Sequence, residues 1–213
     1  MNRTHLYAAA LLVLGFSVED ASAISIPYFD NFDSITSSQL NTPPTGWSQI
    51  DGTVDSIVSG TYGLTCFGGS GGCVDLDGST SQAGYFLTSS TFNLVAGQTY
   101  RLSAQVSGNQ RGAAADNLNF GFFNTSDLVL ASKTVKGITS SSPFTLYSVL
   151  FTPTSNVTAE VFFDDVLGNN NQGPILDNVR LTAVPLPAAA WLMLSGLAAL
   201  GAVARRRISA ATV

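Results

Sequence analysis

The sequence predicts an all-β domain, an antiparallel β-sandwich or jelly roll, set between two apolar terminal segments. Three observations carry that expectation. Short stretches alternate apolar and polar residues with a period of two, the pattern of a half-buried strand. Turn-forming Gly, Asn and Ser clusters divide these stretches at fairly even spacing. Between the termini, no stretch keeps the period of an amphipathic helix.

The elements follow in chain order. Arg3 and His5 give a short polar start, Leu6 to Phe16 is almost wholly apolar, and Ala21-Ser22-Ala23 supplies small residues at a cleavage point. This is the pattern of a secretory signal peptide, residues 1–23, cut after Ala23. The apolar run is too short to span a bilayer. An exported chain permits disulfides, and "CFGGSGGC" places Cys66 and Cys73 with six residues between them, four of them glycine. A bridge is expected there, stabilising by ~2–3 kcal/mol because the closed loop is small. No C-x-x-C and no second ligand pair accompany it, so a redox or metal role fits less well.

"QTYRLSAQVSG" sets Tyr100, Leu102, Ala104 and Val106 against Arg101, Ser103 and Gln105. "NLNFGFFN" aligns Leu118, Phe120 and Phe122, and "FTLYSVLFTP" sets Phe144, Leu146, Ser148 and Leu150 against Thr145, Tyr147, Val149 and Phe151. "VTAEVFFDD" and "PILDNVRLTAV" are the last two strands, with "GNNNQG" as a loop tip between them. In "VDLDG", Val74 and Leu76 are expected in the core, with Asp75 and Asp77 pointing outward. As a calcium loop of the EF-hand type this stretch fails, since Phe86 stands where the closing Glu would be.

The C-terminus repeats the targeting theme. From Leu186 to Ala204 no residue is charged, and Arg205, Arg206 and Arg207 follow. A helix over about 186–204, at ~1.5 Å per residue, nearly matches a hydrocarbon core of ~30 Å. The arginines hold their end in the cytoplasm, so residues 208–213 form a short inner tail and residues 24–183 lie outside. Pro185 and Pro187 keep the neck extended and out of the helix.

Val184, Pro185, Leu186, Pro187 and Ala188, the apolar run and the arginine cluster together resemble the VPLPA variant of the PEP-CTERM sorting signal, over residues 184–207. The resemblance implies a bacterial envelope protein recognised by an exosortase and cut near the proline motif, so that it passes from the inner membrane to the cell surface or medium. An ordinary single-pass anchor is the alternative. A GPI signal fits less well, because it ends in its hydrophobic tail.

A second resemblance covers most of the ectodomain. "CVDLDGSTSQAGYFLTSSTFNLVAGQTYRLSAQVSGNQRG" is similar to galactose-binding-like jelly rolls of exported bacterial proteins, with "YFDNFD" in place of their first strand and "ILDNVRL" of their last. It implies a β-sandwich with a binding or structural role, often directed at carbohydrate. Several members hold a structural calcium where first and last strands meet. Asp30 or Asp33 and Asp177 stand at the matching places.

Composition narrows the function classes. Residues 24–183 carry five basic and twelve acidic side chains, net −7, which is unsuited to coating nucleic acid. The only histidine, His5, leaves with the signal peptide, so the mature domain has no Ser-His-Asp triad and no His-ligated metal. Glycosidase chemistry needs only two carboxylates, but Glu160 is the sole Glu there and has no evident acid partner. The expected function is therefore non-enzymatic: an exported surface or matrix protein engaging exopolysaccharide. The alternative is a specific carbohydrate-binding module with a defined sugar pocket; a glycosidase comes third. Candidate ligand residues are Trp47, as a stacking platform or a core residue, and Asn109 with Arg111 on the "GNQRG" turn. Arg111 is otherwise a structural partner of Asp75, Asp77 or Asp116.

Overall fold

Among the described residues, twelve strands form two antiparallel sheets packed face to face. The computed structural model describes residue 26 and residues 28–80, 82–124, 126, 128–166 and 168–185. The predicted signal peptide, the 186–204 span with Leu186, Pro187 and Ala188, and the Arg205–Arg207 cluster lie outside the described residues.

In chain order the strands are β1 (Tyr28–Asp30), β2 (Trp47–Ile50), β3 (Asp55–Val58), β4 (Gly72–Asp75), β5 (Tyr85–Thr88), β6 (Phe92–Leu94), β7 (Tyr100–Ser107), β8 (Asp116–Asn124), β9 (Val129–Ile138), β10 (Thr145–Phe151), β11 (Val157–Asp165) and β12 (Ile175–Ala183). One sheet, here the front sheet, runs β10-β7-β12-β4-β3, with β1 also on β12. The back sheet runs β2-β5-β11-β8-β9, with β6 also on β11.

The alternating strands bury the faces their sequences predict. Tyr100, Leu102, Ala104 and Val106 of β7 meet Leu118, Phe120 and Phe122 of β8 in the inter-sheet core, with Val161 and Phe163 of β11 and Val179 and Leu181 of β12. Burying such side chains yields ~25 cal/mol per Å² of apolar surface, the main drive for closing the two sheets. The first and last strands pair, Tyr28 opposite Leu181. Both ends of the described chain therefore leave the sandwich at one pole. A register shift between Asp177 and Arg180 marks a bulge in β12, with Asn178 at φ 51°.

The "CFGGSGGC" bridge is formed, Cys66 to Cys73. It closes a loop that covers the opposite pole of the front sheet's outer face. Ile57, Leu64 and Ile175 pack with both cysteines there as a second, small core.

Two expectations need correction. Val74 and Leu76 are in the core, but Asp75 and Asp77 do not reach solvent; both are fully buried. The reason is the β11–β12 loop, expected as an exposed tip. It folds back over them. The Asn170 amide donates to Asp77 Oδ2 at 2.9 Å and the Gly173 amide to Asp75 Oδ1 at 2.9 Å. A Cβ at Gly173 would stand 2.4 Å from the Asp77 amide nitrogen, so only glycine allows that approach.

Candidate functional site

The outer face of the front sheet is its open surface. Strand pleat puts every second residue of β10, β7, β12 and β1 on it. Register then sets the rows: Ser148, Ser103, Arg180 and Phe29 stand side by side. Leu146 and Gln105 form the next row toward the disulfide loop, where the β12 bulge brings Asp177 and Asn178. Leu150, Arg101 and Thr182 form the row toward the chain ends.

Phe29, Leu146 and Leu150 are 47%, 61% and 54% exposed, high for large apolar side chains held on regular strands. Phe29, Gln105, Leu146, Asn178 and Arg180 line a shallow depression of about 330 Å³. The Arg180 guanidinium lies 4.5 Å from the centre of the Phe29 ring, a cation–π contact. The surface thus combines apolar area, two side-chain amides and a guanidinium.

The disulfide loop walls this face at one end. The Phe67 amide donates to Asp177 Oδ2 at 3.0 Å, and the Phe67 ring meets Phe144 edge-on at 5.6 Å. Gln110 clamps the same loop: the Thr65 amide donates to Gln110 Oε1 and Gln110 Nε2 donates to the Thr65 carbonyl, each at 2.9 Å. A second open depression of about 510 Å³ lies beyond, between Thr65, Gln110 and the Ser140–Phe144 turn.

The ligand residues expected from sequence are elsewhere and engaged. Trp47 is 5% exposed, stacks on Phe86 at 4.2 Å and donates its indole N–H to Asp30 Oδ2 at 2.8 Å; it is a core residue, not a platform. Asn109 is fully buried. Its Nδ2 donates to Asp116 Oδ2 and to the Ala114 carbonyl, and its Oδ1 accepts from the Arg111 amide, each at 3.2 Å. Arg111 pairs with buried Asp75. These two residues fix the β7–β8 turn against the sandwich. Phe29, Gln105, Leu146 and Arg180 were missed. Their one legible signal was β10, apolar on both of its faces.

The three carboxylates named for calcium do gather at the β1–β12 corner. Burial pushes Asp177 up to about 7; the Phe67 and Asn178 amides lower it, and the charges of Asp33 and Asp30 raise it further. Their oxygens are already turned onto N–H donors: Phe32 and Trp47 on Asp30, Asn31 and Gly72 on Asp33, Phe67 and Asn178 on Asp177. Calcium takes six to eight oxygens, and carboxylates that ligate a metal commonly keep hydrogen bonds of their own. Among the described residues no three His, Cys, Asp or Glu side chains converge as ligands of one metal ion.

Other carboxyls respond to burial too. Asp75 is pushed up to about 7 by burial, against the lowering effect of Arg111 and of two amides. Asp116 rises to about 6 through burial, which outweighs its Asn109 hydrogen bond, and Asp164 to about 6 through burial alone.

Where the sequence predicts a sorting motif, Val184 is still held by the sandwich. Its amide donates to the Thr99 carbonyl at 2.8 Å, and Gln98 Nε2 donates to its carbonyl at 2.8 Å. Pro185 follows and is exposed.

No protein-family model and no curated protein matches the chain. Solved structures share its fold. An arabinose-bound MgGH51 α-L-arabinofuranosidase aligns over 78% of this chain with a TM-score of 0.56 and 14% identity. This chain spans 28% of that protein's length. The Stig cyclase Fisc from Fischerella sp. TAU aligns over 77% of this chain and 99% of its own, with a TM-score of 0.55 and 18% identity. The K1 cleaved adhesin domain of Lys-gingipain from Porphyromonas gingivalis W83 aligns over 75% and 99%, with a TM-score of 0.50 and 16% identity. At such identities the likeness is one of fold alone.

Proposed function

We propose that this chain is an exported bacterial surface or matrix protein whose sandwich, without catalysis, engages extracellular polysaccharide through the outer face of the front sheet. Its C-terminal segment serves as an exosortase-read sorting signal that holds it at the inner membrane before release to the surface. The observation that carries the binding half is the open depression at Phe29, Gln105, Leu146, Asn178 and Arg180. Sugar rings present apolar C–H faces and polar rims, and that mixture of exposed ring, alkyl and amide groups suits both. The fold is shared with part of an arabinose-bound glycosidase and with an adhesin domain, which makes a sugar a reasonable first ligand to test. The missing imidazole of residues 24–183 supports the non-catalytic reading.

Two measurements test the halves separately. Pull-down of the full chain on insoluble polysaccharides should retain it, and Phe29→Ala with Leu146→Ala should weaken retention without changing the unfolding midpoint. Retention unaffected by both substitutions would move the binding site off this face. The mass of the mature protein from its native host should place its C-terminus between Val184 and Ala188. A mass that still includes Arg205 to Val213 reduces the segment to a plain anchor.

A further inference from the structure

We propose that the outer face of the front sheet selects acidic polysaccharide, with Arg180 and Arg101 meeting the carboxylates of uronate-type sugars. The proposal rests on the glycan-binding reading above and names its ligand class. A domain of net −7 gives no hint of an anionic ligand, but its charges are sorted by the fold.

The strands of the front sheet contribute four carboxylates. Asp55, Asp75 and Asp177 are buried, at 2%, 0% and 3% exposure. Asp30 turns inward to the Trp47 indole. The same strands contribute two cations, Arg101 and Arg180, and both are exposed. Neither has a carboxylate partner among the described residues, where the one ion pair is Arg111 with Asp75. The open part of the face therefore shows positive charge only. Exposed Asp33 stands at its edge, tied to Asn31 and the Gly72 amide.

Geometry makes the pair useful. Arg180 lies opposite Ser103, and Arg101 opposite Thr182, so the two arginines are diagonal neighbours, about 7–8 Å apart at their backbones. Arg180 is oriented by the Phe29 ring, so little side-chain freedom is lost on binding. Arginine forks pair with planar carboxylates in a bidentate way that neutral hydroxyls do not match. Lys133 adds a third cation at the rim: it is exposed on β9 and reaches across to the Ser148 carbonyl of β10, its Nζ donating at 3.2 Å. The body's acidity weakly opposes approach of a polyanion, but beyond ~8 Å salt screens that repulsion at physiological strength while direct contacts persist.

The test compares two polymers that differ only in charge: a polyuronate and its carboxyl-reduced, neutral form. Affinities are measured for the full chain in detergent, with Arg180→Gln, Arg101→Gln and Phe29→Ala as variants. The full chain should bind the polyuronate roughly tenfold or more tighter than the reduced polymer. Arg180→Gln should bring the two affinities together, while Phe29→Ala should weaken both. Equal affinities in the unaltered chain overturn the acidic selection and leave the glycan reading standing. Binding of neither polymer overturns both. Preference for the polyuronate that survives both arginine substitutions moves the site elsewhere. Binding to anionic phospholipid vesicles and not to the polyuronate reassigns the face to a membrane.

Discussion

Asp164 is the simplest residue in which to see the cost of burying charge. Its carboxyl is raised to about 6 by burial alone, so the folded state holds a proton there that the unfolded chain releases near pH ~3.9. Asp116, Asp75 and Asp177 are raised likewise, to about 6, 7 and 7. Between those values the native state binds more protons, and stability falls as pH rises. The urea midpoint should therefore decline from about pH 4.5 to 7.5 and level off above. Asp164→Asn should raise the midpoint at pH 8 and flatten part of the slope; an unchanged slope would show that Asp164 titrates normally. Arg111→Ala should cost about 3 kcal/mol at pH 8, by leaving buried Asp75 without its partner, and less at pH 5, where Asp75 is neutral. Equal losses at both pH values would exclude this ion pair as the cause. Trp47→Ala should cost about 3–5 kcal/mol by urea denaturation, because it empties a core site. The sequence left Trp47 open between platform and core. Nothing local decides this: the Phe86 ring that stacks on it comes from a strand much later in the chain.

At the scale of elements, legibility follows the alternation. β7, β8, β10, β11 and β12 were readable because one face of each is apolar and enters the shared core. β9 was not, since most of its ten residues are exposed or half-exposed and its apolar residues follow no period. The disulfide loop was readable as a bridge, but not as a wall for the outer face. Replacing Cys66 and Cys73 with serine should lower stability by about 2.5 kcal/mol through unfolded-state entropy. The loss should also loosen the Ile57, Leu64 and Ile175 cluster beneath, visible as faster amide exchange at Thr65 and Phe67. Unchanged exchange there would mean that Gln110 alone holds the loop.

Across the whole molecule, topology sets orientation. β1 lies against β12, so both ends of the described chain emerge at one pole. The Cys66–Cys73 loop and the β7–β8 and β9–β10 turns occupy the other. With the neck at the membrane, as the sorting proposal requires, those turns point outward and the arginine-bearing face stands along the side. Pinning of Val184 by Gln98 and Thr99 leaves Pro185 as the first exposed residue of the proposed motif. Gln98→Ala should free that neck and speed its digestion by added protease. An unchanged rate would indicate that the Val184 carbonyl bond is not what holds it.

By itself the sequence determined the alternation that makes two sheets, and the bridge. Each depends on neighbours a few residues apart, where sterics and side-chain period act directly. Only the tertiary structure decided which outward positions meet water. Asp75 and Asp77 are covered by the β11–β12 loop from a distant part of the chain, whereas Phe29, Leu146 and Arg180 stay open. Pleat assigns a side chain to a face, but shielding of that face depends on loops whose paths are set by long-range contacts.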